Sequence, residues 1–284
     1  MDIQAHKGVW VFAEQRDGKL LDVGLELLAA GRELADKLGE ELVAVLFGNQ
    51  VRSLADEVGS YGTDRVLVAD SPVLAVYRND SYSLALTELV NQHKPSILLI
   101  GGTTIGMDLA PRVAAKLGTG LTAHAVNLKL DNDGCLLAQV PAFGGSVMAS
   151  ISCAKHRPQM VTVPPGFLKK PEKKTLKKAS VETVKIAVTE KDVRTKVLEV
   201  FRQEPKGKPI QEAETVVCGG FGVGSKEGWK MVEDLAGALG GSVGATRPAC
   251  DEGWAVQDEQ MVGQSGKIIH PNLYFGIGIS GVIH

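Results

Sequence analysis

Four short stretches stand out for residue types and spacing that could do chemistry: Gly219-Gly220-Phe221-Gly222-Val223-Gly224-Ser225, Gly244-Ala245-Thr246-Arg247, Val262-Gly263-Gln264-Ser265-Gly266 and Gly278-Ile279-Ser280-Gly281. Each follows an apolar run or precedes a candidate helix, which places it at the carboxyl end of a strand. Loops there are where an open α/β sheet takes its ligand. Backbone N–H groups expected to be exposed in such loops and at helix starts suit an anion. Gly220-Phe221-Gly222-Val223-Gly224 is Gly-x-Gly-x-Gly, which is not the dinucleotide spacing, and Ser225-Lys226 lacks the Walker order. The recurrence of four similar loops, rather than any one of them, points to a phosphate-bearing cofactor.

Two side chains within these loops have specific possibilities. Arg247 would place a fixed positive charge beside an electron-accepting ring and raise its potential. The Ser265 hydroxyl could cap a helix or hydrogen-bond a ring nitrogen, and both readings stay open. Other chemistries find no support. The six histidines include no H-E-x-x-H, Ser280 lacks the spacing of a hydrolase elbow, and no acid–base pair stands out. The cysteines Cys135, Cys153, Cys218 and Cys250 form no C-x-x-C and read as buried thiols. Chemistry must therefore be brought by a cofactor.

The elements that must position these residues follow from hydrophobic patterning. Continuous apolar runs at 9–13, 42–48, 65–69 and 97–102 read as strands covered on both faces. Helical spacing at 20–38, 54–58, 83–93 and 107–117 alternates with them, which argues for a doubly wound, mostly parallel sheet. From residue 122 the rhythm changes. Strands expected at 125–130, 136–140, 147–152 and 159–163, with the Asp131-Asn132-Asp133-Gly134 turn, form an antiparallel extension. A block with six lysines occupies 169–178, without aromatic residues to stack a base, and reads as solvated surface. A strand at 184–188 and a helix at 192–203 precede the linker Glu204-Pro205-Lys206-Gly207-Lys208-Pro209. Two domains are expected, 1–205 and 206–284.

In the second domain, strands are expected at 215–218, 242–245, 267–269 and 274–279. Ser225 would cap a helix presenting Trp229, Val232, Leu235, Ala236 and Leu239 on one face. A domain this short, stopping where a helix should begin, is expected to be truncated. With 31 basic and 33 acidic residues the net charge is -2, which favours neither nucleic acid nor an acidic membrane surface. No long apolar run predicts membrane insertion, and the start of the chain lacks a secretory signal. A cytoplasmic, bacterial protein is expected, or a matrix protein if the source is eukaryotic.

At these residues the chain resembles the alpha subunit of electron-transfer flavoproteins. The resemblance rests on Val243-Gly244-Ala245-Thr246-Arg247-Pro248, Asp251-Glu252-Gly253-Trp254, Gln260-Met261-Val262-Gly263-Gln264-Ser265-Gly266-Lys267, Pro271-Asn272-Leu273-Tyr274 and Gly278-Ile279-Ser280-Gly281. Pro141-Ala142-Phe143-Gly144-Gly145 and Arg157-Pro158-Gln159-Met160 extend it through most of the chain. It implies a beta-subunit partner bound by the N-terminal domain and one FAD in the C-terminal domain. Arg247 would lie by the isoalloxazine ring and Ser265 at the position whose hydroxyl meets flavin N5. Gln264, Gly266, Ser280 and Gly281 would line the ribityl and pyrophosphate path, and Gly222, Gly278 and His284 complete the expected cofactor-binding set. Two departures matter: Phe221 stands where the family commonly has arginine, and His284 where it usually has glutamine.

The function implied is electron carriage between acyl-CoA dehydrogenase-type partners and other redox carriers, in a simple or an NADH-dependent bifurcating complex. The alternative is a non-redox nucleotide-binding or scaffold subunit, which predicts adenine-nucleotide binding at the N-terminal sheet.

Overall fold

The computed structural model describes residues 3–143, 145–171, 179–201, 209–263 and 265–281. The chain divides into two units, 1–198 and 199–284. The first grows from β1 (Val9–Phe12), followed by the small hairpin β2 (Gln15–Arg16) and β3 (Lys19–Leu20), then α1 (Asp22–Leu38) and β4 (Leu42–Gly48). The order continues with α2 (Leu54–Gly59), β5 (Arg65–Asp70), α3 (Asn79–His93), β6 (Ile97–Gly101), α4 (Thr104–Leu117) and β7 (Leu121–Thr122). After these come β8 (Asn127–Leu130), β9 (Leu136–Ala142), β10 (Val147–Ser152), β11 (Gln159–Val163) and β12 (Ser180–Thr183).

Seven strands form one parallel sheet in the order β12-β5-β4-β1-β6-β11-β7. Alternation along its central strands sends side chains into two cores. Val9, Val11, Ala44, Leu46, Ile97 and Leu99 meet Leu27, Leu28 and Leu34 of α1. Trp10, Phe12, Val43, Val45, Leu98 and Ile100 meet Leu86 and Leu89 of α3 and Leu109 and Val113 of α4. The doubly wound sheet expected from the apolar runs is therefore present. The antiparallel extension is the separate sheet β10-β9-β8.

Three expectations in this unit need correction. Residues 159–163 do not belong to the extension: β11 runs parallel to β6, with Gln159 opposite Ile97 and Val163 opposite Gly101. All five residues of β11 are buried, with Met160 in one core and Val161 and Val163 in the other, and only a site inside the main sheet covers both faces. The last strand of this unit is β12, paired with β5, and not 184–188. Val184, Ile186 and Val188 instead lie on the apolar side of the α3–α4 layer as a strap, with the Ala187 amide donating to Glu88.

The helix expected over 192–203 is also absent from the described part of that range, 192–201. A 3-10 turn at Glu190–Asp192 leads into irregular chain. Asp80, on α3, accepts from the Arg194 amide at 3.2 Å and from its guanidinium at 3.0 Å, and pairs with Arg112 of α4. Arg78 pairs with Glu190 at 2.6 Å. These tertiary bonds hold the segment extended, and Leu198 and Phe201 are left exposed without a core to receive a helical face. Residues 172–178 of the lysine block and 204–208 of the linker lie outside the described residues.

The second unit contains β13 (Thr215–Gly219), α5 (Lys226–Ala238), β14 (Ser242–Ala245), α6 (Arg247–Asp251), α7 (Gln257–Gln260) and β15 (Leu273–Ile277). Its sheet is parallel, in the order β14-β13-β15. Ser225 caps α5 as expected, its hydroxyl accepting from the Gly228 amide at 3.1 Å. Trp229, Val232 and Ala236 are buried against the sheet, whereas Leu235 and Leu239 are 37% and 41% exposed, outside the expected buried face. The expected strand at 267–269 reduces to a single bridge between Val262 and Lys267. Short turns of helix, α6 and α7, occupy the chain between β14 and that bridge.

Candidate functional site

The parallel pairing of β13 with β14 and β15 delivers three chain segments to one carboxyl edge. Past β13 the chain makes a 3-10 turn, Phe221–Val223, and reaches Gly224 at φ 83° before the Ser225 cap. Past β15 it turns at Gly278, φ 63°. The two loops are joined backbone to backbone: the Gly220 amide donates to Ile277 at 2.8 Å and the Gly222 amide to Gly278 at 2.9 Å. A Cβ on Gly220 would sit 2.4 Å from the Gly278 carbonyl oxygen, and one on Gly278 2.5 Å from the Val223 nitrogen. Only glycine permits this approach at Gly220 and Gly278.

That junction corrects the expectation that these loops hold their N–H groups open. Besides Gly220 and Gly222, Val223 donates to Gly220, Gly224 to Phe221 and Gly266 to Gly263. The amides of Gly222 and Gly266 are spent inside the protein, so these glycines build the shape of the edge.

Past β14, the Thr246 amide returns to the Gly219 carbonyl at 3.0 Å, and Arg247 opens α6 with Pro248 behind it. The Arg247 side chain is 67% exposed, and its Nε lies 3.8 Å from Asp251 Oδ2, beyond hydrogen bonding. The tight turn carrying Ser265 is pinned beside this strand end. Ala245 bridges Met261, Val262 donates to Ala245 at 2.8 Å, and Lys267 donates to Met261 at 2.7 Å. Ser265 stands exposed in that turn, not at the cap of a helix. Thus Gly222 meets Gly278 directly, Arg247 and Ser265 flank β14, and Ser280 and Gly281 extend exposed beyond Gly278. Gln264 and His284 lie outside the described residues.

Beneath the edge the environment is apolar. Cys218 and Cys250 are buried, and burial pushes both thiols up, Cys218 against a hydrogen bond from Tyr274 that lowers it. They are held as thiols, the poorly nucleophilic form. No group of metal-ligating side chains occurs among the described residues. An aromatic contact not anticipated from sequence lies at the rim: Phe221 stacks on Trp254, ring centroids 6.2 Å apart and 12° from parallel. The two residues are 33 positions apart in the chain, and no local pattern signals their contact.

The carboxyl edge of the first unit is different. Where its strand order reverses, between β1 and β6, Glu14 is 2% exposed and accepts from the Thr103 hydroxyl at 2.6 Å and from Arg16 at 3.2 Å. A phosphate entering there would meet a buried carboxylate, which opposes the alternative of a nucleotide on the N-terminal sheet.

The carboxyl edge of the second unit thus presents an outward cation and an exposed hydroxyl over buried neutral thiols. The rim fits an anionic group: the Arg247 side chain is 67% exposed with Asp251 no nearer than 3.8 Å, and a Cβ on Gly224 or Gly281 would meet nothing within 4 Å. Comparison with known proteins agrees. The model of the electron transfer flavoprotein domain matches residues 9–189, and that of the electron transfer flavoprotein FAD-binding domain matches 209–284. Protein FixB of Clostridium saccharobutylicum is 47% identical over 284 residues, covering 100% of this chain and 84% of that protein. The electron transfer flavoprotein subunit alpha of Clostridium acetobutylicum is 48% identical over 281 residues, 98% of this chain and 83% of that protein. The acryloyl-CoA reductase electron transfer subunit beta of Anaerotignum propionicum is 40% identical over 311 residues, 99% and 84% of the two chains.

The chain belongs to the electron transfer flavoprotein family, on its alpha-subunit side. As a member of that family it carries electrons by way of FAD. Among the described residues no helix is long and apolar enough to cross a membrane.

Proposed function

We propose that FAD lies along the β14-β13-β15 carboxyl edge, with Arg247 beside the isoalloxazine ring and the Ser265 hydroxyl toward N5. Gln264, Gly266, Ser280, Gly281 and His284 line the remainder, while Gly222 and Gly278 clamp the two loops that shape the floor. The observation that carries this reading is the convergence of Arg247 and the Ser265 turn on one strand end, through the Ala245–Met261 bridge. Bound FAD supplies the electron-accepting chemistry that no side chain here offers. Arg247 tunes that chemistry by charge; Ser265 orients by hydrogen bonding. A visible spectrum of the chain purified with its partner tests the reading, and a folded assembly without a flavin band refutes it.

The N-terminal unit, 1–205 in our division, receives the beta subunit. Supporting this is the hairpin of β9 and β10. Phe143 is 87% exposed, and Val147, Met148 and Ile151 are 50%, 49% and 42% exposed on β10, whose outer edge is unpaired among the described residues. The strand Val-Met-Ala-Ser-Ile-Ser carries no charge or proline of the kind that guards an edge. Ile151→Lys should weaken subunit association while leaving the chain's own stability nearly unchanged, as sedimentation would show. An acyl-CoA dehydrogenase or similar flavoenzyme is the partner with which electrons are exchanged, a reading supported by the Anaerotignum relative, an electron transfer subunit of acryloyl-CoA reductase.

A further inference from the structure

Phe221 follows the central strand and stands 59% exposed, yet its position is fixed from beneath. Its ring lies 12° from parallel to Trp254, and Trp254 meets Trp229 at 6.3 Å. Trp229 is 4% exposed. It abuts Gly219 so closely that a Cβ there would lie 2.3 Å from its Cζ3. The turn itself is tied by Gly224 donating to Phe221 at 3.1 Å and Gly222 donating to Gly278 at 2.9 Å. Three aromatic rings therefore form a column rooted under α5 and ending at the carboxyl edge. A phenyl ring left in water forgoes the gain of burial, and rigid support keeps it from folding away.

We infer that Phe221, backed by Trp254, is a stacking platform for one planar ring of the bound flavin dinucleotide, a role that rests on the cofactor reading above. Planar heterocycles stack on aromatic side chains at separations like that of Phe221 and Trp254, so a ligand ring continues the column. The column leans toward α6, because Trp254 lies in the turn leaving that helix and Arg247 begins it. Phe221 and Arg247 thus border the same part of the rim with separable effects. A guanidinium distinguishes the redox states of a neighbouring ring by charge. A neutral phenyl carries no charge to favour one redox state as the guanidinium does, so the platform is read through its contribution to cofactor affinity.

The test uses the full chain purified with its partner subunit, as wild type, Phe221→Ala, Phe221→Leu and Phe221→Tyr. Dissociation of FAD, read by flavin fluorescence, should be roughly tenfold easier in the Ala and Leu variants and nearly unchanged in Tyr. Displacement by riboflavin 5′-phosphate and by ADP then identifies the ring. A loss confined to the first assigns the isoalloxazine and a loss confined to the second the adenine, and either supports the platform. Unchanged FAD affinity in Phe221→Leu, with native tryptophan emission, overturns it. So does a loss of subunit association with FAD affinity intact, which gives the face to protein contact. A wild-type assembly devoid of flavin removes the cofactor reading, and the platform with it.

Discussion

Replacing Gly278 by alanine tests whether the backbone junction shapes the site. Gly278 sits at φ 63°, and the new Cβ would lie 2.5 Å from the Val223 nitrogen and 2.6 Å from the Gly222 carbonyl carbon. The left-handed conformation alone costs an L-residue about 1–2 kcal/mol. The contacts are with backbone, which cannot swing away as a flexible side chain can, so overpacking adds about 1–3 kcal/mol. A total of about 2–5 kcal/mol is expected, concentrated in the second unit. Gly224 provides the control: it has φ 83° but nothing within 4 Å of a Cβ, so Gly224→Ala should cost only about 1–2 kcal/mol. Urea unfolding in a Trp10→Phe background makes emission report Trp229 and Trp254, both in the second unit. FAD retention should fall in parallel for Gly278→Ala. Equal losses for the two variants, within about 0.5 kcal/mol, would refute the argument from the junction.

Other outcomes follow from charges elsewhere in the molecule. Arg247→Gln should leave FAD bound but lower its midpoint potential by roughly 20–50 mV, since an exposed cation contributes about 1–2 kcal/mol; an anaerobic redox titration measures this. Arg194, by its side chain and amide, and Arg112 hold the Asp80 carboxyl below the usual carboxylate range, against burial. Because the folded value is depressed, this contribution is present above the unfolded value near 3.9 and is lost as pH falls through the folded one. Asp80→Asn should cost about 1–3 kcal/mol at pH 7 and flatten the acid side of the stability profile. Glu26 behaves oppositely. Burial pushes it up, outweighing the Gly166 and Leu168 amides that pull it down, so its contribution is full below the unfolded value and lost as pH rises through the folded one. Glu26→Gln keeps an acceptor for Gly166 and should gain stability relative to wild type between pH 4.5 and pH 7, as denaturant midpoints would show.

Much of the fold was legible in local pattern. Continuous apolar runs such as residues 42–48 read as strands covered on both sides, and Ser225 before a helical periodicity read as a cap. The glycine loops were legible as turns at strand ends and as the setting for a phosphate-bearing cofactor, although their interlocking was not. Sequence reasoning assigned their amides to a ligand, whereas Gly220 and Gly222 give theirs to Ile277 and Gly278. Patterns with two solutions were misread. The apolar residues of 184–188 alternate as a strand does, but alternation equally suits a strap on helices, and β5 accepts residues 180–183 instead. The 192–203 segment carries residues suited to a helix, yet Asp80 captures Arg194 from more than 100 positions away, an interaction no window of sequence contains.

The amino-acid order by itself determined the doubly wound α/β design, the recurrence of glycine turns at strand ends, and the presence of Arg247 and Ser265 among them. These depend on conformational preference and burial periodicity, which act over a few residues. Tertiary structure alone decided which turns interlock, that Phe221 rests on Trp254, and that Glu14 fills the corresponding edge of the first unit. Such contacts join positions far apart in the chain, and their energies exist only after the strands have chosen their neighbours.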